Sequence, residues 1–186
     1  MADLKMTRKK NIALRVGDEA LKGRLISRLV SRYSYWLGGF YTVENRKGSV
    51  REGYLIKTPG GRSEIMASKT LVSPVLFNKY GVNLAALDGL AAGSLSAARS
   101  GGKIALMDEL GPLSLSSEKL SAAVFETLAS PVPCLAAFRK NAGKFENAFA
   151  RMDETDIIDP AVSGETAVRA ALDAWAEYWI EKLKVK

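Results

Sequence analysis

A chain of 186 residues has room for one domain with a sizeable core, and 47% hydrophobic with 25% charged residues is an ordinary globular composition. The net charge of +7 is uneven: residues 1–62 carry 14 Lys/Arg against 5 Asp/Glu, and the remainder carries 13 against 15. The lack of histidine excludes Ser-His and Cys-His nucleophilic pairs and imidazole metal sites, and the single Cys134 excludes an internal disulfide and fits a reducing cytoplasm.

Met1 to Lys10 is polar and basic, unlike a secretory signal, and reads as an N-terminal arm before one domain over residues 11–186. Asn11 to Val16 is a short apolar run suited to a buried strand, broken by Gly17. From Asp18 to about Tyr33, Leu21, Leu25, Ile26, Leu29 and Val30 recur at helical spacing, with Asp18 and Glu19 suiting the helix N-terminus. Gly38–Glu44, Ser49–Lys57 and Ser63–Ala67 read as an antiparallel meander turned at Gly48 and at Pro59-Gly60-Gly61. Lys69 to Tyr80 reads as irregular. Asn83 is a plausible cap for a Leu-rich helix ending near Gly101-Gly102.

Ile104 to Met107 is a buried strand running into Asp108-Glu109, and a helix over 119–128 is capped by Ser116 or Ser117. Val132–Phe138 is a further strand with prolines at its entry, and a helix at Lys144–Ala150 and a strand at Asp156–Ile158 follow. The last helix, from about Gly164 to Leu183, aligns Val168, Leu172, Trp175, Trp179 and Leu183, which read as packing anchors. No apolar run approaches the ~18–20 residues of a membrane span, so no membrane partner is expected. Strands alternating with helices predict an α/β fold with a mainly parallel sheet covered on both faces.

Two signals concern chemistry. A buried parallel strand ending in Asp108-Glu109 puts two carboxylates at the sheet edge where α/β folds bind ligands. Such an edge suits Mg²⁺ at the first acid and water at the second, although capping or a loop hydrogen bond is the commoner meaning of an Asp-Glu pair. The other is position: a strand, a short loop and a helix carrying Lys22 form the architecture of a phosphate loop, G-x-x-x-x-G-K-[ST]. Val16 and Leu21 stand at the two glycine positions, and Gly23 stands where the Mg²⁺ hydroxyl belongs. Glu19 adds negative charge where a phosphate would sit. The Walker A loop is therefore degenerate, with Lys22 as its surviving phosphate contact.

The chain resembles the small P-loop nucleoside triphosphatases first described from thermophilic bacteria, with a cancer-related human relative, over about Asn11 to Leu172. The resemblance is carried by Gly39-Phe40-Tyr41-Thr42-Val43-Glu44, Arg51-Glu52-Gly53-Tyr54, Tyr80-Gly81-Val82-Asn83 and Asp108-Glu109-Leu110-Gly111, in the family's order and spacing. It implies a three-layer P-loop NTPase-like fold. The chain departs from the family's pattern in the loop Val16 to Arg24, at Pro112 after the Walker B segment, at Ala137, and at Glu165-Thr166-Ala167.

The expectation from these residues is a pseudoenzyme: non-catalytic, binding no nucleotide tightly, and acting as an interaction or regulatory subunit for a protein partner in the cytoplasm. Asp108 and Glu109 would then be structural, paired with Lys22 or Arg24. The alternative is a slow Mg-dependent nucleoside triphosphatase acting on ATP or GTP, with Lys22 on phosphate, Asp108 on Mg²⁺ and Glu109 as the catalytic group on water. A third reading is nucleic-acid binding through the basic first third, where Tyr33, Tyr35, Trp36, Phe40 and Tyr41 interleave with cations. A solvated basic face is the plainer account of that charge, and core packing of those rings.

Overall fold

The computed structural model describes residues 8–139 and 142–185. Asn11–Val16 forms β1, and Glu19–Tyr33 forms α1. The meander comprises β2 (Leu37–Lys47), β3 (Val50–Lys57) and β4 (Ser63–Ser68). The segment expected to be irregular instead contains a small hairpin, β5 (Leu76–Phe77) and β6 (Tyr80–Val82). β6 pairs with β4, Ala67 opposite Val82, so the tertiary partner supplies what local pattern lacked.

The Leu-rich helix is in three pieces. Asn83 caps α2 (Leu84–Ala86) through a bond accepted from the Ala86 N–H, a π-helical turn spans Leu87–Ala91, and α3 (Ala92–Ser100) follows. Next come β7 (Ile104–Leu110), α4 (Glu118–Ala129) capped by Ser117, β8 (Cys134–Arg139) and α5 (Lys144–Ala150). β9 (Thr155–Ile158), the short α6 (Pro160–Ser163) and α7 (Glu165–Lys184) complete the chain.

Among the described residues, nine strands make one sheet in the order β5-β6-β4-β3-β2-β7-β8-β1-β9. Its half from β2 to β9 is parallel, and its half from β2 to β5 is antiparallel. The sheet is mixed, with the expected parallel body and an antiparallel extension longer than the sequence reading allowed.

Both faces are covered, as the alternation along each parallel strand requires. Ala13, Ala105, Met107, Cys134, Ala136 and Phe138 pack with the helices from Ala86 to Ala98, with α4 and with α5. Ile12, Leu14, Ile104, Leu106, Leu135 and Ala137 pack against α1 and α7, including Leu25, Ile26, Val168 and the fully buried Trp175. Helix, sheet and helix thus form three layers. The parallel strands β1, β7 and β8 end side by side, and this shared edge carries the polar site.

The described end of the N-terminal arm is tied to the domain. The Lys9 carbonyl accepts bonds from the indole N–H groups of Trp175 and Trp179, and Lys10 Nζ donates to the Leu128 and Ser130 carbonyls at the end of α4. Residues 1–7 of the arm lie outside the described residues.

Candidate active site

The turn between β1 and α1 is short, leaving Gly17 and Asp18 between strand and helix. Asp18 caps the helix: its Oδ1 accepts from the N–H groups of Ala20 at 2.8 Å and Leu21 at 3.2 Å. Those are the donors that a helix N-terminus would otherwise turn toward a phosphate. A carboxylate of the chain itself therefore sits where an anion would bind.

One turn into α1, Lys22 points inward and is 2% exposed. Its ammonium lies 3.2 Å from Glu19 Oε2, 3.1 Å from Asp108 Oδ1 and 3.0 Å from Glu109 Oε2, and donates to Thr42 Oγ1 at 3.3 Å. Consecutive strand residues normally face opposite sides of a sheet. Asp108 and Glu109 both reach Lys22 because β7 bulges there: Asp108 matches Ala137 on β8 and Leu110 matches Phe138, leaving Glu109 as the extra residue. Arg24, the other cation considered for these acids, pairs instead with Glu165 on α7 at 2.9 Å.

Asp108 is 1% exposed, and its Oδ2 accepts from the Thr42 N–H at 3.3 Å. Its Oδ1 is buried without a hydrogen-bond partner, because Lys22 approaches it closely but outside hydrogen-bond geometry. A buried carboxylate oxygen held by an ion pair could exchange its ammonium for a hard divalent cation. Among the described residues, no group of three or more Cys, Asp or Glu is arranged to hold a metal alone. That is compatible with Mg²⁺, which takes one or two carboxylates and completes its shell with water and phosphate oxygens.

A fifth charged residue joins the cluster, one that sequence reasoning missed. Arg139 ends β8, in register with Val16 of β1. Its Nε donates to Glu109 Oε1, and its Nη2 lies 2.8 Å from Glu19 Oε1. The signal was available: Arg139 follows the apolar run ending at Phe138, as Asp108 follows the run ending at Met107. Both mark the C-terminal edge of parallel strands.

Two cations thus face three carboxylates, and their protonation is interdependent. Burial pushes the Glu19 carboxyl up to about 7, helped by the neighbouring charge of Glu109 and opposed by Lys22. Burial also raises Asp108, against the pull of Lys22. Burial works against ionisation of Glu109 as well, but Lys22 and Arg139 together hold it below the usual carboxylate range. Lys22 stays charged: burial disfavours its ammonium, and Asp108, Glu109 and Glu19 outweigh that and raise it above the ordinary lysine range.

A cavity of about 30 Å³ lies beside the cluster, lined by Lys22, Thr42, Glu109, Gly111 and Arg139 among others. That is room for a water molecule or so. A more open recess of about 320 Å³ adjoins it, lined by Glu19, Lys22, Gly23, Thr42 and Glu44. Gly23 lines this recess with nothing within 4 Å of where a side chain would begin.

The interleaved aromatics divide. Tyr33 and Phe40 are core, Trp36 and Tyr41 are half-buried, and Tyr35 is exposed. Among the described residues, no helix is long and apolar enough to cross a membrane.

A family model described as NTPase matches residues 16–161. The nucleoside-triphosphatase THEP1 of Thermotoga maritima is 33% identical over 138 residues, covering 74% of this chain and 79% of that protein. The protein of the same name from Methanocaldococcus jannaschii is 30% identical over 126 residues, covering 68% and 74%. The crystal structure of THEP1 from the hyperthermophile Aquifex aeolicus is 27% identical, covers 80% of this chain and 87% of its own, and superposes with a TM-score of 0.69. The solution structure of a human cancer-related nucleoside triphosphatase has the same fold, with a TM-score of 0.69 at 22% identity, covering 90% and 96%. These relatives are consistently named as nucleoside triphosphatases, which overturns the expectation of a non-catalytic interaction or regulatory subunit. Lys22, Asp108 and Glu109 stand together despite the absence of the loop glycines and hydroxyl.

Proposed function

The chain belongs to this NTPase family, and from that premise we propose that it is a slow, Mg²⁺-dependent nucleoside triphosphatase whose phosphate contacts come mainly from side chains. The observation that carries the reading is the meeting of Lys22, Asp108 and Glu109 at the ends of β1 and β7, beside the recess of about 320 Å³. The free, buried thiol of Cys134 supports the cytoplasm as its compartment.

In this reading Lys22 exchanges its acidic partners for oxygens of the β- and γ-phosphates of ATP or GTP. Asp108 would hold Mg²⁺ once Lys22 leaves its Oδ1, and the Thr42 hydroxyl, beside the same ammonium, would stand in for the one missing at Gly23. When bound, the ion neutralises phosphate charge. Glu109 orients a water whose oxygen bonds to the γ-phosphorus while the bond to the β,γ-bridging oxygen breaks. Inorganic phosphate and a nucleoside diphosphate leave, and the proton of the water passes through Glu109 to solvent. Turnover is slow because Asp18 occupies the amides of the helix N-terminus and Lys22 must leave three carboxylates.

The test is phosphate release from MgATP and MgGTP by purified wild type, Lys22→Ala and Glu109→Gln. Wild type should release phosphate above background, and Glu109→Gln should lose on the order of 10²-fold or more, the usual worth of a positioned acid–base group. A wild-type rate indistinguishable from background with both nucleotides would overturn the reading.

A further inference from the structure

We propose that Arg139 is a second phosphate-contacting residue, binding the γ-phosphoryl oxygens as charge develops on them during hydrolysis; the inference rests on the triphosphatase reading above.

Among the described residues, the small cavity at the strand ends is lined by two cations, Lys22 and Arg139. They are placed differently. Lys22 is buried at the base of the cluster, whereas the Arg139 side chain is 41% exposed at its mouth. β8 lies between β1 and β7, with Arg139 beside Val16 and Phe138 beside Leu110. The guanidinium therefore bridges the two halves of the site, from the phosphate loop to the Asp-Glu edge.

Its present partners indicate what it can hold. Nε and Nη2 each engage a carboxylate oxygen, one on Glu109 and one on Glu19. A planar guanidinium fork matches two oxygens of a phosphoryl group as well as it matches carboxylates. A triphosphate whose β-phosphate lies at Lys22 would extend its γ-phosphate toward the water-orienting Glu109, and so toward the guanidinium that Glu109 holds.

Glu19 is the carboxylate that Arg139 would give up. It stands at the start of α1, on the path of the phosphates, and shares Lys22 and Arg139 as partners. Glu109 would keep its bond to Nε, so the arginine would hold the water-orienting acid and the phosphoryl group in one geometry. Charge spread over equatorial phosphoryl oxygens is what a preorganised arginine stabilises more in the transition state than in the bound substrate. Its removal should fall on kcat.

The experiment is steady-state phosphate release with MgATP and MgGTP by wild type, Arg139→Ala, Arg139→Gln and Arg139→Lys, with thermal melts of each. We expect kcat to fall about 10²–10³-fold in the Ala and Gln variants with KM within a few-fold of wild type. Arg139→Lys should remain at least ~10-fold below wild type, because an ammonium lacks the fork. Millimolar guanidinium should raise kcat of Arg139→Ala but not of Lys22→Ala. An active wild type with kcat unchanged in Arg139→Gln would overturn the inference and leave the triphosphatase reading standing. A loss that tracks a lowered melt, raises KM and does not respond to guanidinium would assign Arg139 a structural role and overturn it too. A wild type without activity fails the underlying reading first, and this inference with it.

Discussion

Glu19 shares its carboxylate between Lys22 and Arg139 and feels the charge of Glu109, so its proton is bound up with the charge of the whole cluster. Its folded-state value of about 7 lies above the ordinary 4.5, chiefly through burial. Between those values the folded protein keeps a proton that the unfolded chain releases. The stabilisation from this group is complete below about pH 4.5 and is lost as pH rises through about 7. Glu19→Gln, a permanent mimic of the protonated form, should gain in Tm over wild type between pH 5 and pH 8. A Tm difference that stays flat over this range would refute the assignment. The same residue shows how the site reconciles an acid with phosphate: near neutrality a single proton removes the repulsion that its charge creates, and Lys22 and Arg139 then face fewer competing carboxylates.

At the level of strands and helices, two glycines illustrate opposite constraints. Gly39 in β2 has φ of +84°, and a Cβ there would lie 2.2 Å from the Leu106 carbonyl oxygen of β7. Only a residue without a side chain lets β2 approach β7 closely enough to deliver Thr42 to Asp108 and Lys22. Gly39→Ala should cost at least about 1–3 kcal/mol, combining left-handed strain with displaced backbone. Gly93 in α3 has nothing within 4 Å of its Cβ position, and Gly93→Ala should stabilise by about 0.4–1 kcal/mol through lost unfolded-state entropy. Urea titrations of both variants would check the pair. Equal destabilisation would show that contact geometry does not separate them.

Across the whole molecule, part of the charge asymmetry of the chain is matched by its own folding. Arg15 pairs with Glu146, Arg24 with Glu165, Arg28 with Asp173, and Arg32 with Asp173 and Glu177. Cations from the first third thus meet acids from the last, largely along the seam between α1 and α7. Exposed pairs of this kind are worth about 0–1 kcal/mol each and act more on register than on stability. The larger contribution there is Trp175, fully buried on α7 with its indole N–H donated to the Lys9 carbonyl at 2.9 Å. Trp175→Ala should lower stability by about 3–5 kcal/mol through cavity formation. Phosphate release per folded molecule should be unchanged, because α7 contributes no residue to the Lys22 cluster. A loss below ~1 kcal/mol in chemical denaturation would mean that α7 is not anchored there.

Element type and order were legible in the sequence, because hydrophobic period, caps and turn residues are local properties. Asn11–Val16, the helix begun at Asp18 and the strand ending in Asp108-Glu109 follow from them. The parallel body and the antiparallel meander of the mixed sheet were legible too, whereas the β5–β6 extension was not, because it is held by β4 rather than by its own short strands. In the same way, sequence spacing identified Lys22, Asp108 and Glu109 as three candidates with separate roles. Only the tertiary structure decided that one ammonium touches both acids, that Arg24 turns away to Glu165, and that Arg139 closes the cluster from a neighbouring strand. The physical reason is that charge acts through space at a few ångströms. The distance between Lys22 and Glu109 is set by how β1, β8 and β7 align, and no spacing along the chain encodes it.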